Sequence, residues 1–216
     1  MNQKMERYRI ATITIIALSI FLAIVLYPMA PEMIPTHWNI AGEPDAWSDK
    51  AYGLAIIPII LFVSALIFSV MLRYIGPTDL RGRRATGWFI VCILGILLAI
   101  QIYAGMAAVG DPLPAALFFP ILFATLYFCI SFLLPRISRR NRMIGIRTPW
   151  TMKSADVWRH THLAGARVFR IAAGFTLLGA LFPDHLFLFI IAPAVGALVW
   201  LVFISHREYQ NLGEIG

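Results

Sequence analysis

The sequence predicts an all-α membrane protein with six transmembrane helices and both termini in the cytoplasm, and three observations predict it. Of 216 residues, 60% are hydrophobic and 13% are charged, against about 45–50% and about 25% in an ordinary soluble domain, which excludes a soluble globule. The apolar excess falls in long uninterrupted runs rather than in periodic stripes. Those runs, finally, divide the cationic side chains into two very unequal sets.

About 20 apolar residues cross a hydrocarbon core of about 30 Å. Residues 10–29, 52–72, 85–109 and 113–134 reach that length without an Asp, Glu, Lys, Arg or His. The first run follows a basic leader, as in a signal peptide. Its apolar stretch is longer than the usual signal core of about 7–15 residues, and Tyr27-Pro-Met-Ala-Pro31 offers no small-x-small cleavage site, so it is expected to remain as an anchor. A fifth run, residues 164–182, carries Arg167 and Arg170 in its first turns, and a sixth, residues 186–204, follows after Pro183, Asp184 and His185. These two read as a tight helical hairpin whose arginines snorkel to the interface; a hairpin entering and leaving by one face is the alternative. Cys92 and Cys129 fall inside predicted spans and read as packing residues.

Lys and Arg in short flanking loops set orientation. With six spans, seventeen of the eighteen lie on the side of the termini, nine of them between Arg136 and Arg170, and only Lys50 lies on the other. Glu32, Glu43, Asp45, Asp49, Asp111 and Asp184 gather on that other side, the predicted outer face. An odd number of spans would strand Arg207 outside and scramble this segregation. The pI near 9.8 is thereby explained by insertion and anionic lipid, not by direct nucleic-acid binding.

Two loops differ from generic connectors. The outer loop, residues 30–51, contains Pro31, Pro35 and Pro44, which bias their preceding residues to extended backbone, and Gly42, which suits a turn over residues 41–45. It is expected to be ordered. His37, Asn39, Glu43 and Asp45 supply donors and acceptors for a peptide or, with a single histidine, a poorly equipped metal site. Trp38 and Trp47 fit an interfacial belt. The inner loop, residues 135–163, should be extended at Thr148-Pro149, with Thr151 or Ser154 capping a helix that runs through Trp158 and His162. Helical spacing puts Asp156 with His160 on one face, and Trp158 with His162 on another, which disfavours a His160-x-His162 chelate. As an amphipathic interfacial segment, it would lay Trp150 and Trp158 against lipid.

These residues carry a resemblance. Pro35-Thr-His-Trp-Asn with Gly42-Glu-Pro-Asp-Ala-Trp47 resembles the extracytoplasmic motif of a bacterial membrane domain of unknown function that commonly precedes the SdpI-type region. Gly145-Ile-Arg-Thr-Pro-Trp-Thr151, with Ser154, Val157-Trp158 and Thr161-His162, is similar to the signature loop of the SdpI family of immunity proteins. The resemblance spans nearly the whole chain. It implies a multi-pass protein of the bacterial plasma membrane that protects against a secreted antimicrobial peptide and, in some members, relays the toxin's presence to a cytoplasmic repressor.

The chain accordingly reads as one polytopic domain over residues 1–216, with an N-terminal part at 10–80 and an SdpI-like part at 113–205. The expected toxin-binding residues are His37, Asn39, Gly42, Glu43, Asp45 and Trp47. Those expected to contact a cytoplasmic partner are Arg147, Thr148, Pro149, Trp150, Trp158 and His162. No cofactor, resident metal or catalytic residue is expected: His-Glu-x-x-His, Gly-x-Ser-x-Gly and phosphate-binding glycine loops are lacking. A small transporter is the alternative, because helices one to three and four to six begin on opposite sides like an inverted repeat. Against it, Gln101 is the most polar residue deep in a span.

Overall fold

The computed structural model describes residues 3–39, 42–110 and 113–213; Ala41, at the expected turn, and Asp111, counted on the outer face, lie outside them. Seven helices and two strands follow in the order α1 (Gln3–Leu26), β1 (Met33–Trp38), β2 (Pro44–Asp49), α2 (Lys50–Tyr74), α3 (Leu80–Val109), α4 (Ala115–Leu133), α5 (Pro149–Lys153), α6 (Ala155–Leu177) and α7 (Leu186–Gly213). Six of the helices, all but α5, are long and apolar enough to cross a membrane. The fifth and sixth form the expected hairpin, turned by short 3-10 segments at Leu178–Leu181 and Pro183–His185.

Helices α2, α3 and α6 begin before their apolar runs because capping side chains start them in the polar zone. Asp49 accepts from the Tyr52 amide at 3.0 Å and starts α2. Asp79 accepts from the Gly82 amide at 2.7 Å and starts α3 five residues before the apolar run begins. Ser154, capping Val157 at 3.3 Å, starts α6 nine residues before the expected span. Each cap supplies an acceptor to an amide that has no partner within its helix.

Two groups of three helices share one seam. In the first, α1, α2 and α3 close around Leu61 and Leu94, with Tyr8, Leu72 and Ile90 in the same cluster. Between helices in lipid, close backbone approach replaces the hydrophobic drive. A Cβ on Gly87 would lie 2.8 Å from the Tyr8 ring, and one on Gly105 would lie 2.6 Å from Leu26 Cδ1. Those glycines are five turns apart on one face of α3, so α1 runs along it in the same direction. In the second group, α6 is sandwiched by α4 and α7 around Tyr127, Phe169, Ala173 and Leu201. The Tyr127 hydroxyl donates to the Ile190 carbonyl at 2.8 Å, one turn before Pro193, which interrupts the α7 ladder. Helices α3 and α4 join the two groups.

Outward faces carry large apolar side chains, among them Phe62, Leu117, Ile171 and Val199, all exposed and facing lipid in a chain of this kind. Arg167 and Arg170 are exposed on α6. Arg170 Nε turns back to donate to the Ala166 carbonyl at 3.1 Å, in the direction expected of a snorkelling side chain.

Candidate functional site

The two unusual loops sit at opposite ends of the α3–α4 seam. At one end, β1 and β2 pair as an antiparallel β-hairpin instead of the merely ordered loop expected from sequence. Ile34 anchors it, almost fully buried with Ala30 and Leu54. Lys50 ties its base to Glu32 at 2.9 Å. Gly42 takes φ +80° at the tip, where a Cβ would press 2.6 Å from Ala115 Cβ on α4. Trp38 lies over Tyr103 of α3, ring centroids 5.3 Å apart, and Tyr103 stacks on Phe118 of α4 at 4.2 Å. The hairpin therefore closes one end of the seam, contacting α2, α3 and α4.

Its predicted binding residues come together in cross-strand pairs. His37 Nδ1 meets Asp45 Oδ1 at 2.6 Å. Asn39 receives the Glu43 amide on Oδ1 at 3.1 Å, while its own backbone amide donates to the Glu43 carbonyl at 2.8 Å. All four side chains remain open to solvent or nearly so. Trp47 is exposed, as an interfacial indole would be, whereas Trp38 is half-buried against Tyr103. Beneath the hairpin lies a hollow of about 430 Å³ lined by Pro35, Trp38, Trp47, Tyr103, Ala107 and Ala115 among others. Tyr103 and Ala115 were not singled out in the sequence; their aromatic and small types inside apolar spans carry no distinguishing signal.

At the other end, the inner loop folds around two buried rings. Trp158 is fully buried, its Nε1 donating to the Ile137 carbonyl at 2.8 Å, and its ring stacks on His162 at 4.1 Å. The expectation that Trp158 lies against lipid is corrected: its indole fills a core with Leu133 and Ile137, flanked by Ala85 and Phe89 of α3. His162 Nε2 accepts the Ile146 amide at 3.1 Å and its Nδ1 bonds the Trp158 carbonyl at 2.7 Å, which fixes one neutral tautomer. Gly145 passes directly over the pair with φ +125°; a Cβ there would sit 2.5 Å from His162 Nε2. Only glycine tolerates both conditions.

The rest of the motif locks this path. Asn141 Oδ1 accepts the amides of Met143 and Ile144 at 3.0 and 2.9 Å. Thr148 and Thr151 cap α5 reciprocally, and the Thr151 hydroxyl also donates to the Ile146 carbonyl at 2.8 Å. Thr148 is extended before Pro149, as expected. Asp156 and His160 do not pair: Asp156 lies 3.6 Å from Arg159, and His160 reaches Glu208 on α7 at 3.0 Å. Trp150 packs over His206, ring centroids 4.6 Å apart. Arg147 and Pro149 are exposed, Trp150 is half-buried, and Thr148, Trp158 and His162 lie beneath the surface. The docking on α7 was not legible, because nothing in the terminal segment distinguishes His206 or Glu208 from an ordinary polar tail.

Gln101 does not line a polar path. It is 3% exposed, accepts from the Ser19 hydroxyl and donates to the Ser19 carbonyl at 2.9 Å, so it joins α1 to α3.

Fold and loops together define a six-helix polytopic membrane protein whose two motif-bearing loops close opposite ends of one helix seam. Residues 14–62 match the family described as Domain of unknown function (DUF1648), and residues 138–205 match the SdpI/YfhL protein family. Over 207 residues the chain is 26% identical to "Immunity protein SdpI" of Bacillus subtilis (strain 168), a match covering 94% of this chain and 96% of that protein. A 44-residue stretch is 36% identical to "Uncharacterized membrane protein YbgB" of the same strain, covering 20% of this chain and 48% of that protein. No solved structure matches the chain. This is an SdpI-type chain with an N-terminal DUF1648 segment, a multi-pass protein of the bacterial plasma membrane.

Proposed function

We propose that the chain is an immunity protein that gives resistance to a secreted, membrane-active peptide captured at the hairpin, with both termini and the inner loop in the cytoplasm. The segregation of seventeen cations to the side of the termini supports that orientation. The observation that carries the capture reading is the hairpin's exposed polar pairs set beside an aromatic-lined hollow of about 430 Å³. Such a surface suits an amphipathic peptide, apolar side chains against Trp38, Trp47 and Tyr103 and polar or cationic groups against Glu43 and Asp45. Full-length similarity to a protein named as an immunity protein supports the same reading.

The test is survival of toxin-sensitive cells expressing the wild type or the fourfold variant H37A/N39A/E43A/D45A at equal membrane levels. Loss of protection with the variant is expected; undiminished protection would sink the capture reading.

A relay to a cytoplasmic repressor is supported by the position of α3. Its far end holds Tyr103 under the hairpin, and its near end holds Ala85 and Phe89 against the Trp158 core. The partner surface would be Arg147, Pro149 and Trp150, with Thr148, Trp158 and His162 shaping it from below. Coupling needs two states that toxin and repressor distinguish. Repressor recovered with the wild type but not with R147A/W150A, and changed by added toxin, is the expected pull-down; equal recovery throughout rejects the relay.

A further inference from the structure

A groove runs along the seam between α3 and α4 on the lipid side, as two hollows that meet at Cys92 and Cys129. The half toward the inner loop encloses about 560 Å³ and is rimmed by Arg81, Arg84 and Arg136. The other half, about 630 Å³, is lined by apolar side chains and Gly95, with Thr125 as its only hydroxyl. None of the described lining residues is acidic. Asp79, close in sequence, is turned to cap Gly82.

The arginines are not consumed by the protein. Among the described residues, the Arg81 side chain makes no hydrogen bond or ion pair. Arg84 Nε is buried without a partner. Arg136 donates to the Phe132 carbonyl and lies 5.3 Å over the Phe132 ring, leaving further N–H groups free. A buried guanidinium nitrogen with no acceptor is costly in the absence of an anion.

We propose that this groove binds an anionic phospholipid, the headgroup phosphate held by Arg81, Arg84 and Arg136 and one acyl chain laid along the apolar half past Gly95. The depth fits: from Arg84 to Cys92 the helix rises about 12 Å, close to half of a hydrocarbon core of about 30 Å, so a chain anchored at the arginines reaches the second hollow in mid-membrane. Apolar packing does not distinguish this chain from bulk lipid. Selectivity comes from the charge, and three cationic side chains at a membrane surface favour an anionic headgroup by on the order of 100-fold. The site is independent of toxin binding and of the proposed immunity role.

The experiment reconstitutes the purified full chain in phosphatidylcholine bilayers containing a minority of phosphatidylglycerol, re-extracts it, and measures the phospholipid retained by mass spectrometry. The wild type should hold phosphatidylglycerol enriched about tenfold or more over its bulk fraction. R81Q/R84Q/R136Q should lose the enrichment, and the charge-matched R139Q/R142Q/R159Q should keep it. If the triple variant fails to fold, R81Q alone serves, since that side chain has no partner to lose. G95F changes no charge and enters open space, with no atom within 4 Å of a Cβ there. It should block the acyl track and lower retention.

Equal enrichment in the groove and control variants would reduce the effect to surface charge and overturn the proposal. Displacement of the lipid by excess inorganic phosphate, with G95F without effect, would make the site one for a small anion and overturn it too. So would a second copy of the chain cross-linked through Cys92 in the phosphatidylglycerol bilayers.

Discussion

The two motif loops look alike in sequence, each a short stretch dense in Trp, His, Pro and Gly, yet they use those residues in opposite ways. At the hairpin, His37 and Asp45 pair on an open surface, and Trp47 is 53% exposed. In the inner loop, Trp158 and His162 are sealed, 0% and 1% exposed, with backbone carbonyls and amides for partners. A polar or aromatic motif that is buried and bonded to backbone specifies a fold; one that is exposed and bonded to its own side chains leaves its chemistry available to a ligand. Within the inner signature, Trp158 and His162 build the scaffold, while Arg147 and Pro149 stay at the surface.

The sharpest way to break the contrast is Trp158→Ala. It empties a core position and strands the Ile137 carbonyl, and should cost about 3–5 kcal/mol, seen as a large fall in the unfolding midpoint in micelles and loss of the protein from membranes. A variant that remains stable would mean that the inner loop is held from elsewhere, by α7 through Trp150 and His206. Gly145→Ala comes next. Its methyl would meet His162 Nε2 at 2.5 Å on a backbone with φ +125°, so about 2–3 kcal/mol is expected, read by the same unfolding assay and by new proteolytic cleavage between Arg139 and Arg147.

How much of this was legible depends on what makes each element form. The six spans were readable because an apolar run long enough to cross a bilayer has no other stable environment. Their ends were less so, since Asp79 starts α3 in polar sequence through a single hydrogen bond. Helix α6 extends to Ala155 because its polar side chains face inward: Thr161 and His162 are buried between the loop and the neighbouring helices, which hydropathy reads as a soluble segment. Ser154 as a cap and the shared face of Trp158 and His162 followed from helical spacing. Burial of that face did not, because an indole and an imidazole sit as readily at a bilayer interface as in a core.

The hairpin was hidden for a related reason. Pro35 and Pro44 weaken any strand reading, and only an edge position in a two-stranded ribbon accommodates them, with irregular pairing between Pro35 and Trp38. Gly42 was the legible part, a turn residue with φ +80°, but its second role, contact with Ala115, links segments 73 residues apart and leaves no local trace.

A milder variant separates capping from core packing within the inner loop. Thr151→Val keeps the volume but removes the hydroxyl that receives the Thr148 amide at 2.9 Å and reaches the Ile146 carbonyl at 2.8 Å. The two groups are left buried and unpaired, for about 1–2 kcal/mol. Hydrogen exchange at Thr148 and along α5 should rise while the Trp158 environment, followed by its fluorescence, is unchanged.

The smallest effect on stability, and the one that most sharpens the comparison, belongs to the hairpin. The double variant H37A/D45A removes an exposed pair, and exposed pairs contribute about 0–1 kcal/mol, so the unfolding midpoint should scarcely move. The hairpin is held instead by Ile34 and by the Gly42 contact with Ala115. If these carry the fold while His37 and Asp45 carry the binding, H37A/D45A loses protection against toxin at full membrane abundance, whereas I34A loses both together. The opposite outcome, a hairpin that unravels with H37A/D45A, would assign the pair to structure and place the two loops in the same class after all.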